Sequence, residues 1–139
     1  MGEAVTATGQ CLCGSVKIFA AQANTSVGAC HCNMCRQWTG GPLMAVDCGN
    51  DVSFEGAEHI TCFTSSEWAE RAFCKKCGSH LFYKLTISGQ YIVPVGLLDM
   101  PQPLAFDHQI FIDEKPEYYC FANETKNMTG AEVFAQYQP

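Results

Sequence analysis

The sequence predicts a single, mainly β domain of about eight short strands. Its 139 residues suit one domain, and hydrophobic residues, at 47%, are sufficient for a packed core. Apolar residues recur mostly at every second position, in short runs that glycine and proline interrupt. No segment carries a sustained helical stripe, so we expect little α-helix.

The strands are predicted from alternating apolar residues, taken in chain order. These are Val16 with Ile18, Val52 with Phe54, Ile60 with Cys62, Trp68 with Ala72, Leu81 with Tyr83, Tyr91 with Val93, and Ile110 with Ile112. Ser88-Gly89 predicts a hairpin turn, and Pro94 predicts that the second strand of this hairpin, Tyr91-Ile92-Val93, is an edge strand or carries a bulge. We expect one short turn of helix around Asn33–Gln37 and a loosely structured tail after Tyr119.

Composition and charge exclude several classes of partner. Eight basic and 14 acidic residues give a net charge of −6, which disfavours nucleic acid, whose phosphates require a basic surface. No apolar run approaches the ~18 residues of a membrane span, and no secretory signal is recognisable, so we predict a cytoplasmic protein without a membrane partner. Gly2 with Thr6 matches the N-myristoylation pattern, but so short a pattern occurs by chance in many sequences, so we do not expect the modification.

Four cysteines in two pairs predict a closed metal site. Cys11 and Cys13 lie two residues apart, so both sulfurs face one side of an extended chain. Cys74 and Cys77 have the spacing of a zinc knuckle, and Gly78 after them accepts a positive φ. Together they supply the four thiolates of a structural zinc, although iron suits the same ligands.

A second cluster, Cys30-His31-Cys32-Asn33-Met34-Cys35, predicts an open metal site. Three thiolates leave a fourth position for water or substrate, as in catalytic zinc sites. His31 points away from its neighbouring cysteines in an extended stretch, so we expect a packed or surface histidine rather than a ligand, and the same for His80.

The remaining cysteines, Cys48, Cys62 and Cys120, have no partner spacing, and we expect buried apolar residues. Disulfides are disfavoured for the other seven, because a Cys-x-Cys bridge is strained and the reducing cytosol favours metal binding. If those seven cysteines bind two zinc ions, seven negative thiolates and four positive zinc charges bring the net charge from −6 to −9.

These motifs resemble one known family. The order Cys11-x-Cys13-Gly14, Cys30-His31-Cys32-x-x-Cys35-Arg36 and Arg71-x-Phe73-Cys74-x-x-Cys77-Gly78-Ser79 is similar to that of the glutathione-dependent formaldehyde-activating enzymes, a family that includes relatives of centromere protein V. The resemblance covers a core of about residues 9–112, leaving a tail of 113–139. It implies small coiled antiparallel sheets organised around zinc, with Cys11, Cys13, Cys74 and Cys77 holding a structural zinc and Cys30, Cys32 and Cys35 a catalytic one.

The resemblance also implies a carbon–sulfur lyase/synthase that joins glutathione and formaldehyde as S-hydroxymethylglutathione. Its partners would be a small thiol and a small aldehyde, and Arg36 could pair with a glutathione carboxylate. Because one fold can serve many functions, another thiol or aldehyde stays open. The alternative is a non-catalytic zinc module of the centromere protein V type that binds a protein partner. An open site favours the enzyme, since a structural module would be expected to close it.

Overall fold

Two twisted antiparallel-rich sheets make up most of the molecule in a computed structural model that describes residues 3–101 and 103–137. The strands are β1 (Ala4–Gln10), β2 (Lys17–Asn24), β3 (Ser26–Cys30), β4 (Leu43–Asp47), β5 (Val52–Glu55), β6 (Ile60–Thr64), β7 (Ala69–Cys74), β8 (His80–Leu85), β9 (Tyr91–Pro94), β10 (Leu98–Asp99), β11 (Ala105–Ile110) and β12 (Lys126–Met128). The helices are α1 (Asn33–Thr39) and α2 (Gly130–Tyr137). The mainly β fold class is therefore confirmed, with more strands than the eight expected. Gly2 lies outside the described residues.

The smaller sheet has the order β10-β1-β2-β5 and the larger one β12-β11-β3-β4-β9-β8-β7-β6. The pairs in the smaller sheet are antiparallel. In the larger sheet β11 runs parallel to both β3 and β12, whereas the other pairs are antiparallel. The resemblance implies small antiparallel sheets. One of the two sheets is instead large, with eight strands, and it contains two parallel pairs.

The main core lies between the two sheets. Ile18 and Ala20 alternate inward along β2 and pack in one cluster with Val46, Leu81 and Val93 of the larger sheet. A second, smaller cluster contains Cys35, Leu43 and Ala45. Successive residues of β4 thus belong to different clusters, because side chains alternate across a strand. The larger sheet is covered on both faces here, and the predicted open site lies on the face away from the main core.

The hairpin at Ser88-Gly89 forms as predicted, with antiparallel β8 and β9 on either side and Gly89 at a φ of 74°. The prediction for Pro94 is wrong, however, because β9 lies inside the larger sheet between β4 and β8, and no register shift interrupts either pairing. Pro94 is the last residue of that strand, opposite Ala45. A proline at the end of a strand interrupts little of the hydrogen-bond ladder, so an interior position is compatible with it.

The prediction of a loosely structured tail is also wrong. β12 pairs with β11, and α2 packs through Phe134, whose ring meets those of Trp68 and Phe111 edge-on at centroid distances of 5.6 and 5.7 Å. Gly130 begins the helix where an added Cβ would lie 2.7 Å from the Phe111 ring, so the chain needs glycine for this approach. Neither α1 nor α2 has the length or apolar character required to cross a membrane.

Candidate metal centres and active site

The four cysteines of the predicted closed site come together. Cys11 and Cys13 lie in the loop between β1 and β2, Cys74 ends β7, and Cys77 lies in the turn before β8. Their sulfurs are all within 4.8 Å of one another, with 3.7 Å between Cys11 and Cys13 and 3.8 Å between Cys13 and Cys74. Four sulfurs at ~2.3 Å from a tetrahedral zinc would lie ~3.8 Å apart. The donor set therefore fits a zinc ion.

The two Cys-Gly-Ser segments of this site have matching roles. Gly14 and Gly78 both adopt left-handed backbone conformations, with φ values of 78° and 79°, which turn the chain around the sulfurs. Ser15 lies 3.3 Å from the Cys13 sulfur, and Ser79 lies 3.3 Å from that of Cys77. Hydrogen bonding from Ser79 lowers the pKa of Cys77 to about 5. A thiol whose anion is stabilised in this way is prepared to ligate a metal.

The closed site also joins the two sheets. One ligand pair belongs to a loop of the smaller sheet, and the other belongs to the β7–β8 connection of the larger sheet. The Leu12 N–H donates to the Ser79 hydroxyl at 3.0 Å, so a direct hydrogen bond links the two loops as well. Loss of a metal here would release a contact between the sheets rather than within one of them.

The three cysteines of the predicted open site also converge, within 4.8 Å. Cys30 ends β3, Cys32 is the N-cap of α1, and Cys35 lies in the first turn, where its N–H donates to the Cys32 sulfur at 3.3 Å. Among the described residues, no fourth histidine, cysteine or carboxylate joins this group. The arrangement can therefore hold a metal ion through three sulfurs.

The three thiols also perturb one another. Hydrogen bonds from the Cys30 and Cys35 thiols lower the pKa of Cys32 to about 2, while the same contact with Cys32 raises the pKa of Cys30. Cys35 is buried, and the other two are half-buried. One thiolate stabilised by two neighbouring thiols is a suitable starting point for binding a thiophilic cation.

Arg71 lies beside the open site, although the predicted set of site residues did not include it. It is only 3% exposed, and both terminal nitrogens lie 3.6 Å from the Cys35 sulfur. The guanidinium also lies over the rings of Trp38 and Tyr83, at 5.0 and 4.7 Å from their centroids. The available signal was its position in the motif just before Cys74, but a sequence does not show which sulfur such a cation contacts.

Arg36, the predicted carboxylate contact, points its Nε at the backbone oxygen of His31 and donates to it at 2.9 Å. It therefore supports the loop that carries the open site. Its contact with a substrate carboxylate stays a prediction.

His31 is fully buried and takes part in a hydrogen-bond chain on the back of the open site. Its Nε2 lies 2.8 Å from Gln109 Oε1, which can only accept, so Nε2 carries the proton and Nδ1 accepts from the Tyr119 hydroxyl at 2.7 Å. Gln109 donates in turn to Thr125, and Thr125 to Asn127. Burial lowers the pKa of His31, which favours this neutral state. The tail thus supports the open site, a role that sequence analysis missed.

The predictions for His80 and for the three remaining cysteines have different outcomes. His80 stacks on Trp38 at 4.2 Å between ring centroids, as a packed histidine would. Cys48 is buried as expected, and burial raises the pKa of its thiol to about 12. The same expectation is wrong for Cys62 and Cys120, which are both exposed. Cys62 lies on β6, the edge strand of the larger sheet, and Cys120 follows Tyr119 in the tail.

Comparison with known proteins connects this site to one family. A sequence model of the glutathione-dependent formaldehyde-activating enzymes matches residues 6–114, which include all seven clustered cysteines. A Schizosaccharomyces pombe protein named as an uncharacterized lyase is 36% identical over 126 residues, covering 90% of this chain and 92% of the relative. A Rhodobacter sphaeroides protein of known crystal structure is 26% identical with a TM-score of 0.58, covering 69% of this chain and 91% of that one.

Proposed function

We propose a function from one premise: the chain belongs to the glutathione-dependent formaldehyde-activating enzyme family. The protein would be a zinc-dependent lyase that makes and breaks a carbon–sulfur bond between a thiol, such as glutathione, and formaldehyde or a related small aldehyde. The observation that carries this proposal is the three-sulfur site with no fourth ligand among the described residues. The relative named as a lyase supports the same reaction class.

The proposal assigns different tasks to the two cysteine groups. Cys11, Cys13, Cys74 and Cys77 would hold a structural zinc, whose ligands are complete, and Cys30, Cys32 and Cys35 a catalytic one. When bound at the open site, zinc would lower the pKa of a substrate thiol or polarise an aldehyde oxygen. In the forward direction the thiol sulfur bonds to the carbonyl carbon, and the thiol proton ends on the carbonyl oxygen.

The chain's own side chains would shape this reaction space. The Arg71 guanidinium contacts the sulfur of Cys35, one of the proposed ligands, and packs over the rings of Trp38 and Tyr83. Burial raises the pKa of Tyr83 to about 12, so its phenol stays protonated at neutral pH. Arg36 is the proposed contact for a carboxylate of the thiol. A non-catalytic module would be expected to fill the fourth position with a protein ligand, which the described part of the chain does not offer.

A metal count with and without thiol tests the proposal. We expect close to two zinc ions per chain after gentle purification, and better retention of the second when glutathione is present. The rate of formaldehyde consumption in the presence of glutathione, followed by NMR and corrected for the uncatalysed addition, should then depend on that second ion. A Cys62→Ser variant is the matched control, because this exposed cysteine lies outside both groups. If a fully loaded protein neither binds thiol nor converts the aldehyde, the enzyme proposal is wrong.

A further inference from the structure

Arg71 is a buried cation whose hydrogen-bonding groups are committed to the protein. Both terminal nitrogens lie 3.6 Å from the Cys35 sulfur, and Nε donates to the Ser65 hydroxyl at 3.3 Å. At 3% exposure the guanidinium has little access to a ligand arriving from solvent. Arg71 is therefore poorly placed to bind a substrate carboxylate directly.

The two cysteine groups differ in what stabilises their sulfurs. At the closed site the partners are neutral: the Val16 amide donates to Cys11 at 3.3 Å, and serine hydroxyls contact Cys13 and Cys77. At the open site the partner is charged: the guanidinium of Arg71 lies against the Cys35 sulfur. The chain thus places a buried arginine on the site that has a free position, and not on the site with complete ligands.

Strand geometry explains how one strand serves both groups. Along β7, Ala72 and Cys74 belong to the main core cluster, whereas Arg71 contacts Cys35 of the second cluster. Because side chains alternate across a strand, Arg71 and Cys74 lie on opposite faces. The strand that supplies a ligand to the closed site therefore also supplies the cation of the open site.

The charges suggest a purpose for this cation. A divalent metal with three thiolates carries a net charge of −1, and a further anionic ligand would bring it to −2. We propose that Arg71 neutralises the loaded three-thiolate site, so that its fourth position accepts an anionic thiolate in preference to a neutral ligand. This inference rests on the proposed function in one respect, since it requires a divalent metal on Cys30, Cys32 and Cys35. Arg71 would be a positioning residue that acts through the ligand sulfur.

A purely structural role is the competing explanation, because the guanidinium also packs between Trp38 and Tyr83. The two explanations predict different selectivity. Loss of packing would weaken the binding of any ligand at the fourth position equally, whereas loss of charge would weaken the binding of an anionic ligand more than that of a neutral one.

The test uses the full chain loaded with cobalt, and the change in its visible bands when a ligand is added reports on the open site, since the closed site has no free position. Affinities for 2-mercaptoethanol, which binds as the thiolate, and for neutral imidazole are measured at one pH for wild type, Arg71→Met and Arg71→Lys. Lys84→Met is the control, because it removes a cation that lies over Tyr91 on the neighbouring strand without touching a ligand sulfur. Circular dichroism establishes that each variant is folded.

We expect Arg71→Met to lose thiol affinity about tenfold to a hundredfold, by analogy with the loss of metal affinity or activity that follows removal of a partner of a metal ligand, while imidazole affinity changes less than about threefold. Arg71→Lys, which keeps the charge but not the planar fork, should fall between wild type and Arg71→Met. Equal losses for both ligands, or no loss, in folded Arg71→Met would overturn the proposal. If Arg71→Met does not fold, Arg71→Gln, which also removes the positive charge, is measured in its place and judged in the same way. Failure of wild type to bind cobalt at the open site would instead overturn the proposed function itself.

Discussion

Replacing one sulfur in each group tests whether the zinc proposed for the closed site holds the two sheets together and the zinc proposed for the open site does not. Cys13→Ser and Cys32→Ser form the best pair, because Cys13 is exposed and Cys32 is half-buried, so neither serine is placed in the fully buried core. Cys32 is moreover the N-cap of α1, where serine is a favoured residue. A difference in stability between these variants therefore reports mainly on the metal.

The expected magnitude follows from the segments that each site connects. Cys13 and Cys74 are 61 residues apart and belong to different sheets, whereas the open-site cysteines lie on β3 and the adjoining α1. A structural zinc can supply ~10–16 kcal/mol, which is as large as the whole stability of most domains. We expect Cys13→Ser to lose at least ~4 kcal/mol, or roughly 12 °C in melting temperature at ~3 °C per kcal/mol. Cys32→Ser should lose less than ~2 kcal/mol.

Thermal melts, circular dichroism and metal counts on the two variants provide the assay, with Cys62→Ser as the exposed control. Cys32→Ser should lose one zinc and the thiol-dependent activity while staying folded. If Cys32→Ser destabilises the protein as much as Cys13→Ser does, the open site is structural, and the alternative of a non-catalytic interaction module becomes the better explanation.

Three further predictions follow from particular contacts. Chelator treatment of the native protein should lower the metal content from about two ions per chain to between one and two, because the closed site is coordinatively complete; a count near zero in folded protein would contradict both sites. Tyr119→Phe removes the donor to His31 and should cost about 1–3 kcal/mol in thermal melts, with a weaker open-site metal; unchanged values would show that the tail does not support the site. In metal-loaded protein a thiol reagent should label Cys62 and Cys120 rapidly and the other cysteines slowly, and mass spectrometry of the labelled peptides checks this assignment.

Most predictions that succeeded depended on residues close together in sequence; the meeting of Cys13 with Cys74, 61 residues away, followed instead from the need for four ligands at one metal. Period-two apolar patterns indicated β structure, and the spacings of Cys30, Cys32 and Cys35 already implied convergence, because two- and three-residue steps restrict where the sulfurs can lie. α1 begins at Asn33, as predicted, and continues to Thr39, two residues further than expected. Gly40 then ends it at a φ of 87°.

The predictions that failed depended on distant contacts. The eight-residue α2 has too short a pattern to recognise, and it is held by Phe134 against Trp68 and Phe111. Pro94 looked like an edge residue, because a sequence does not show that β4 and β8 lie on either side of its strand.

The sequence by itself predicted the two cysteine groups that the structure brings together, since both the order and the local spacing of the seven cysteines are given along the chain. Only the tertiary structure decided that Cys11 and Cys74 bring two sheets together, that Arg71 lies on the Cys35 sulfur, and that Tyr119 supports His31. The physical reason is that ligand spacing is restricted by a few covalent bonds. Charge neutralisation and buried hydrogen bonds instead act between segments that are distant in sequence. Only tertiary packing determines which of these segments become neighbours.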